Sequence, residues 1–410
     1  VTTYLFHGGR LLDPRRDALV ENAHVLVEDD RIKEVADRPL RVESATRVDL
    51  KGRTLMPGLI DCHIHLMLRE VNIQSLDGVP LTLLAAKGSA SARAMLMRGF
   101  TSVRDTGGAD YGMKAAIESG LFEGPRVFIS GMPISQTGGH GDFRKRTQTG
   151  FECNCCSGLA HAARVADGVP EMLRAVRDEL RKGADQIKIM VSGGVASQAD
   201  PLESLQFRMD EIEAAVEEAS RWGTYVCAHA YAAEAIRRAV TAGVRTIEHG
   251  NLIDEPTARL MADKKAYLVP TLVAYDALKR RGPEYGLSAY SLQKNEIVLE
   301  AGLRSIEIAR AAGVAIGFGS DLIGQLSNDH CREFLIRSEV MKPIEIIRSA
   351  TLVNAEIVRQ SGKLGEIVAG AFADLIVVDG DPTRDLSLLQ NDGAHLPVIM
   401  KGGRFVKNAL

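Results

Sequence analysis

The chain has no uninterrupted apolar run long enough to cross a bilayer, so no membrane-embedded part is expected. It has no strong excess of either charge: 50 Lys and Arg stand against 53 Asp and Glu, a formal net charge of -3 with His neutral. There is also no basic repeat or long basic patch, so electrostatics gives no reason to expect nucleic acid or an anionic membrane as a partner. Residues 1–7 lack the basic-then-apolar order of a secretion signal, and the expectation is a cytoplasmic protein. Cysteine is scarce, with 6 in all, and only Cys153, Cys155 and Cys156 cluster. No second pair has the spacing to complete a four-cysteine zinc site, so free thiols packed in a long loop are expected and a disulfide scaffold is excluded. A nucleophile-elbow motif is missing too, and nothing in the chain calls for a catalytic serine.

What is present is an ordinary globular composition, 45% apolar and 25% charged, in 410 residues that can bury a large core. Residues 3–57 read as short alternating strands separated by turns, without any chemistry of their own. After Pro57 the texture changes to short apolar strands alternating with helices, as in an α/β protein with parallel strands. Helices are expected at 81–98, 112–118, 169–182, 209–221, 232–242, 292–312 with a break at Gly302, and 342–362. The stretch after 271, with Arg280-Arg281-Gly282-Pro283, reads as irregular, and 131–168 reads as a long polar insertion that covers or shapes a site. Strand-like runs begin near Leu59, Thr101, Val127, Gln186, Tyr225, Thr246, Ala266 and Val314, which makes eight. The fold expected is an α/β (β/α)8 TIM-like barrel over 58–364. The runs at 373–378, 397–400 and 404–406 rejoin the N-terminal strands, so that 1–57 and 365–410 form a small, discontinuous β-sandwich-like domain.

The chemistry collects at strand ends. In Gly58-Leu59-Ile60-Asp61-Cys62-His63-Ile64-His65 the period of two puts His63 and His65 on one side of a strand, a natural half of a metal site. Tyr225-Val226-Cys227-Ala228-His229 and Thr246-Ile247-Glu248-His249 each end a strand in histidine, and Val314 to Asp321 ends one in aspartate. Lys188 lies within the apolar run Gln186 to Val191, where a bare ammonium is costly to bury; it must reach an edge, pair with a charge or be modified. His140 stands in the glycine-rich segment Thr137-Gly138-Gly139-His140-Gly141 of the insertion. Since the strands of a TIM barrel end at a common mouth, these residues can meet despite their separation in sequence.

These motifs resemble those of the amidohydrolase superfamily, in its binuclear-metal branch, over essentially the whole chain. Ser135 to Gly141, Gln186 to Met190, Ser192 to Ser197 and His229-Ala230-Tyr231 are most similar to the imidazolonepropionase-related group that contains metal-dependent Xaa-Pro dipeptidases, the prolidases. The resemblance implies that His63, His65, His229, His249 and Asp321 bind two divalent ions, zinc preferred, bridged by a carbon dioxide-derived carbamate on Lys188. It implies attack of a metal-bridging hydroxide on an amide carbonyl, with Asp321 as base and then acid, His140 polarising the carbonyl or holding the oxyanion, and Tyr231 binding the substrate carboxylate. The implied substrate is a dipeptide or N-acyl amino acid ending in proline, and the implied assembly is a homo-oligomer, with an octamer among its forms. A loop arginine, Arg144, Arg146 or Arg208, is a further candidate for the carboxylate. The alternatives are a hydrolase for nonproline C-terminal residues, apolar or basic (the latter using Asp200 or Glu203), a deaminase or cyclic amidase, and a metal-bearing scaffold without catalysis.

Overall fold

The computed structural model describes residues 2–42, 44–145, 147, 162–198 and 200–410. The strands before Pro57 form two sheets. Thr3–His7, His24–Glu28, Arg31–Ala36 and Thr46–Asp49 make a four-stranded sheet, with Thr3–His7 antiparallel to His24–Glu28 and parallel to Thr46–Asp49. The second sheet has six strands and joins the two ends of the chain. Thr54–Pro57 lies antiparallel to Leu375–Val378, which pairs in turn with Val398–Lys401, and Arg404–Asn408 follows. Alternating apolar residues of both sheets, among them Phe6, Val25, Val27, Leu55, Leu375, Val377 and Met400, meet in one buried core.

Eight parallel strands follow Pro57: Leu59–Ile64, Phe100–Asp105, Arg126–Ile129, Ile187–Met190, Val226–Ala232, Thr246–Leu252, Tyr267–Val269 and Ala315–Ile316. Regular pairing runs within the first three and within the last five. The two seams between these groups are closed by other bonds. At one, Gln186 Nε2 donates to the carbonyls of Asp105 (3.1 Å) and Phe128 (3.3 Å), and the Asp185 amide donates to the Ile129 carbonyl. At the other, the Cys62 amide donates to the Phe318 carbonyl at 2.8 Å, and Asn354 Nδ2 bonds the carbonyls of Ile60 (2.6 Å) and Phe318 (2.8 Å). The result is the expected TIM-like barrel.

Three expectations are corrected. The stretch after Thr271 is a helix, Leu272–Arg281, which buries Leu272, Val273, Ala274, Ala277 and Leu278; the Arg-Gly-Pro signal marks only its end. The expected break at Gly302 does not occur, because Ala289–Ala311 is continuous. Gly302 serves close packing instead: a Cβ there would lie 2.8 Å from Leu272 Cδ2. The expected single helix over 342–362 is divided into Pro343–Arg348, a π-helical turn Ser349–Val353 and Asn354–Ile357, which aims Asn354 into the barrel seam. The insertion at 131–168 also contains two short strands, Ile134–Ser135 and Arg164–Val165, parallel to each other, with Ile134 opposite Ile189. Cys153, Cys155, Cys156 and Arg146 lie outside the described residues. Among the described residues no helix is long and apolar enough to cross a membrane.

Candidate active site

The C-terminal ends of the barrel strands surround a cavity of about 80 Å³. All eight residues singled out from the sequence line it: His63, His65, His140, Lys188, His229, Tyr231, His249 and Asp321. The histidines form a continuous run of ring contacts. Centroids are 5.3 Å apart for His65 and His63, 4.8 Å for His63 and His249, 4.7 Å for His249 and His229, and 4.2 Å for His229 and His140. Donor atoms of His63, His249 and Asp321 all lie within 4.8 Å of one another. His65 joins them through Asp321 Oδ1, 3.0 Å from its Nε2.

The histidines are oriented from behind. His63 Nδ1 donates to Glu248 Oε2 and His65 Nδ1 to the Gly107 carbonyl, each at 2.7 Å, and His249 Nδ1 shares a 2.8 Å bond with Thr271 Oγ1. In His63 and His65 this leaves Nε2 facing Asp321. His229 is held the other way, Nε2 donating to the Gly193 carbonyl at 3.1 Å, so that Nδ1 keeps the lone pair. Burial pushes His229 and His249 well below the usual imidazole range. For His65 burial opposes the charge, but the hydrogen bond and charge of Asp321 outweigh it and raise the value. Burial likewise resists the charge on Asp321, yet His63, His65 and His249 hold its carboxyl well below the ordinary range. Imidazoles fixed through one nitrogen, set beside an ionised carboxylate, are a donor set that fits divalent ions.

Lys188 is 1% exposed, and burial pulls its ammonium down from the usual lysine range. Among the described residues it forms no ion pair within 4.0 Å; the charges of Glu248 and Asp321 act on it from farther away.

Sequence reasoning missed the residues that brace the site. Glu248 precedes His249 on an alternating strand, where the two would face opposite ways. The left-handed backbone of His249 (φ 74°) breaks that alternation, and both side chains reach His63. Glu248 Oε1 accepts from Arg104 Nη2 at 2.7 Å, and Arg104 also donates to the Cys62 carbonyl and to Thr246 Oγ1. Both ions are completely buried. Burial resists the charge on Glu248, but Arg104 and His63 keep it well below the usual carboxylate range.

His140 is braced by a different segment. Its Nδ1 bonds Ser197 Oγ at 2.8 Å and its amide donates to Gln206 Oε1 at 2.9 Å. Burial lowers its pKa to about 4. The ring lies directly over Gly194, where a Cβ would come within 2.1 Å of His140 Cε1; this is what the Ser192-Gly193-Gly194 motif provides. Lys294, from helix Ala289–Ala311, secures this loop by donating to the carbonyls of Gly194, Ser197 (2.6 Å) and Asp200 (3.1 Å). Tyr231 is buried against His249 and Tyr275, with ring centroids at 5.2 and 6.0 Å.

Among the described residues, the further candidates outside this set do not line the cavity. Arg144 is paired with Asp142, and Arg208 is exposed beside Asp210. Asp200 bonds the Gly194 amide and Gln206, Glu203 is exposed, and neither lines the cavity. Asp321 is the one carboxylate among the described lining residues.

Residues 54–405 match the model of the amidohydrolase family. An ochratoxinase of Aspergillus niger is 32% identical over 412 aligned residues, covering 97% of this chain and 85% of that protein. A solved prolidase complexed with N-methylphosphonate-L-proline is similar with a TM-score of 0.97 and 49% identity, over 99% of this chain and 100% of that one. A Xaa-Pro dipeptidase solved with methionine in its active site gives a TM-score of 0.88 and 30% identity, over 99% and 100% of the two chains.

Proposed function

The chain belongs to the amidohydrolase family and is a metal-dependent hydrolase, and from that premise we propose that it is a Xaa-Pro dipeptidase, cleaving L-Xaa-L-Pro and N-acyl-L-proline. The observation that carries this reading is the 49% identity, over 99% of this chain, to a prolidase that binds a phosphonate analogue of an acyl-proline. In this reading His63, His65, His229, His249 and Asp321, with Lys188 as a carbamate, would hold two divalent ions, preferably zinc. Bound there, the ions would lower the pKa of water and polarise the amide carbonyl.

The remaining work falls to the chain's own side chains. Asp321 accepts the proton of the attacking water and passes it to the departing nitrogen, which as a secondary amine still needs protonation to leave. His140, on the far side of His229, donates toward the carbonyl oxygen as negative charge develops there. Tyr231 meets the substrate carboxylate through its hydroxyl. The apolar wall made by Ile73, Phe143, Val195, Leu278, Leu322 and Leu326 suits a pyrrolidine ring and excludes water from it. With Asp321 the sole carboxylate on the described wall, a lysine or arginine side chain finds no free counter-ion, which disfavours the basic-residue alternative. An apolar nonproline residue is the competing reading, favoured by the likeness to a relative named for another substrate, ochratoxinase.

In the same reading residues 58–364 form the hydrolase barrel, and 1–57 with 365–410 the small β domain, in a cytoplasmic homo-oligomer. The test is steady-state hydrolysis by zinc-loaded protein of matched Xaa-Pro, Xaa-hydrophobic and Xaa-Lys/Arg dipeptides and of N-acyl-proline. Preference for both proline classes is expected; cleavage confined to nonproline substrates would overturn the assignment while leaving the metal site intact.

A further inference from the structure

A second crevice, of about 500 Å³, opens behind the segment that follows Asp321. Its wall presents Arg69, Lys87, Arg98 and Arg281, and among the described residues no carboxylate. Arg69 is the least satisfied of the four. Its Nη2 donates to the Gly324 carbonyl (2.7 Å) and Ser327 Oγ (2.8 Å), while Nη1 is buried without a hydrogen-bond partner. Among the described residues no ion pair within 4.0 Å neutralises it; neighbouring Glu70 is engaged by Lys87 (2.5 Å) and Gln325 (3.1 Å).

Arg98, 4% exposed, converges on the same serine, with Nη1 on the Ser327 carbonyl at 2.9 Å. Its counter-ion, Asp392, is largely exposed and stands off the crevice wall. Burial, opposed by the charge of Glu70 and helped by the repulsion of Arg98, brings Arg69 down to about 10. Ser91 on the same wall is 7% exposed, and its hydroxyl is also buried without a partner. Among the described residues the only carboxylate acting on Arg69 is Glu70, from beyond 4.0 Å, and a buried guanidinium without a close counter-ion is costly. An anion in the crevice supplies one.

We propose that this crevice is a binding site for a small phosphate-bearing anion. Three guanidinium groups, of which Arg281 also faces Asp329 at 3.9 Å, and the Lys87 ammonium favour a multiply charged oxyanion, and Asn328, Gln325 and Tyr285 add neutral donors to the wall. The site also has a route to catalysis. The turn Gly324–Asp329 is a party wall, with Gln325 and Ser327 on the crevice side and Leu326 in the catalytic cavity. Arg69 on the Gly324 carbonyl, and the Gly324 amide on the Leu68 carbonyl (2.9 Å), stitch the segment leaving His65 to the one leaving Asp321. An anion that fixes this seam firms the inner wall against the substrate.

The test is calorimetric titration of the full, zinc-loaded chain with inorganic phosphate, pyrophosphate and ribose 5-phosphate; the three arms separate free phosphate from a phosphorylated small molecule. Saturable binding of at least one is expected, weakened about tenfold or more in Lys87→Gln/Arg281→Gln, with peptide hydrolysis in the absence of anion unchanged. If the double variant does not fold, Lys87→Gln alone is expected to weaken binding in the same direction. Equal binding by the folded variant would place the anion at the metal centre and overturn the proposal, as would absence of saturable heat from all three probes. Heat of binding is read without any substrate, so failure here is distinct from failure of the dipeptidase reading.

Discussion

The two sides of the catalytic mouth are held in different ways. His63, His65 and His249 stand on barrel strands or directly after them, fixed from behind by Glu248, Gly107 and Thr271. Asp321, past the end of Ala315–Ile316, is tied to them by its amide on the His63 carbonyl at 2.8 Å. His140 comes from the 131–168 insertion and leans on Ser197 and Gln206, residues of another loop, which Lys294 ties down from a distant helix. The first side inherits its precision from the strand ladder. The second depends on side-chain bonds between segments with little regular structure. Damage to the strand side is therefore expected to cost metal, and damage to the loop side to cost turnover while metal is retained.

The sharpest break is Asp321→Asn, which in the proposed mechanism removes the proton carrier and a metal donor together; kcat for Xaa-Pro is expected to fall by roughly 10³-fold or more in steady-state assays. Next is Glu248→Gln, which leaves the donor set in place but weakens the grip on His63 and strands the buried Arg104 charge. Competitive metal titration is expected to show roughly 10–100-fold weaker binding. Lys294→Met addresses the loop side alone: kcat is expected to drop about tenfold through a displaced His140, with metal content unchanged. If metal were lost in that variant, the division between the two sides would not hold. The smallest effect belongs to Arg208→Ala, since that side chain is solvated and off the cavity. Its KM is expected to match the parent and its stability to stay within about 0.5 kcal/mol in denaturant unfolding.

The same division explains what could be read from sequence. His63, His65, His229, His249 and Asp321 were legible because a strand end is a local event, marked by an apolar run and a fixed periodicity. Lys188 was legible as a charge inside such a run. Glu248 was not, because its use depends on a left-handed residue at 249 that no alternation rule anticipates. Ser197, Gln206 and Lys294 carry no motif that points to His140, and their roles exist only once the chain has folded. Helix Leu272–Arg281 was obscured by its charged C-terminal turn, and the division of 342–362 by an asparagine whose partners lie at Ile60 and Phe318. The crevice around Arg69 was equally hidden, since its four cations come from three separate parts of the chain.

The central claim is metal-dependent Xaa-Pro hydrolysis at the barrel mouth. It is tested most directly by titrating chelator-stripped protein with zinc while following cleavage of Ala-Pro. The account predicts no turnover without metal and a rise that levels off at two ions per chain. Turnover by the stripped protein, or two bound ions without cleavage of Ala-Pro, would contradict it.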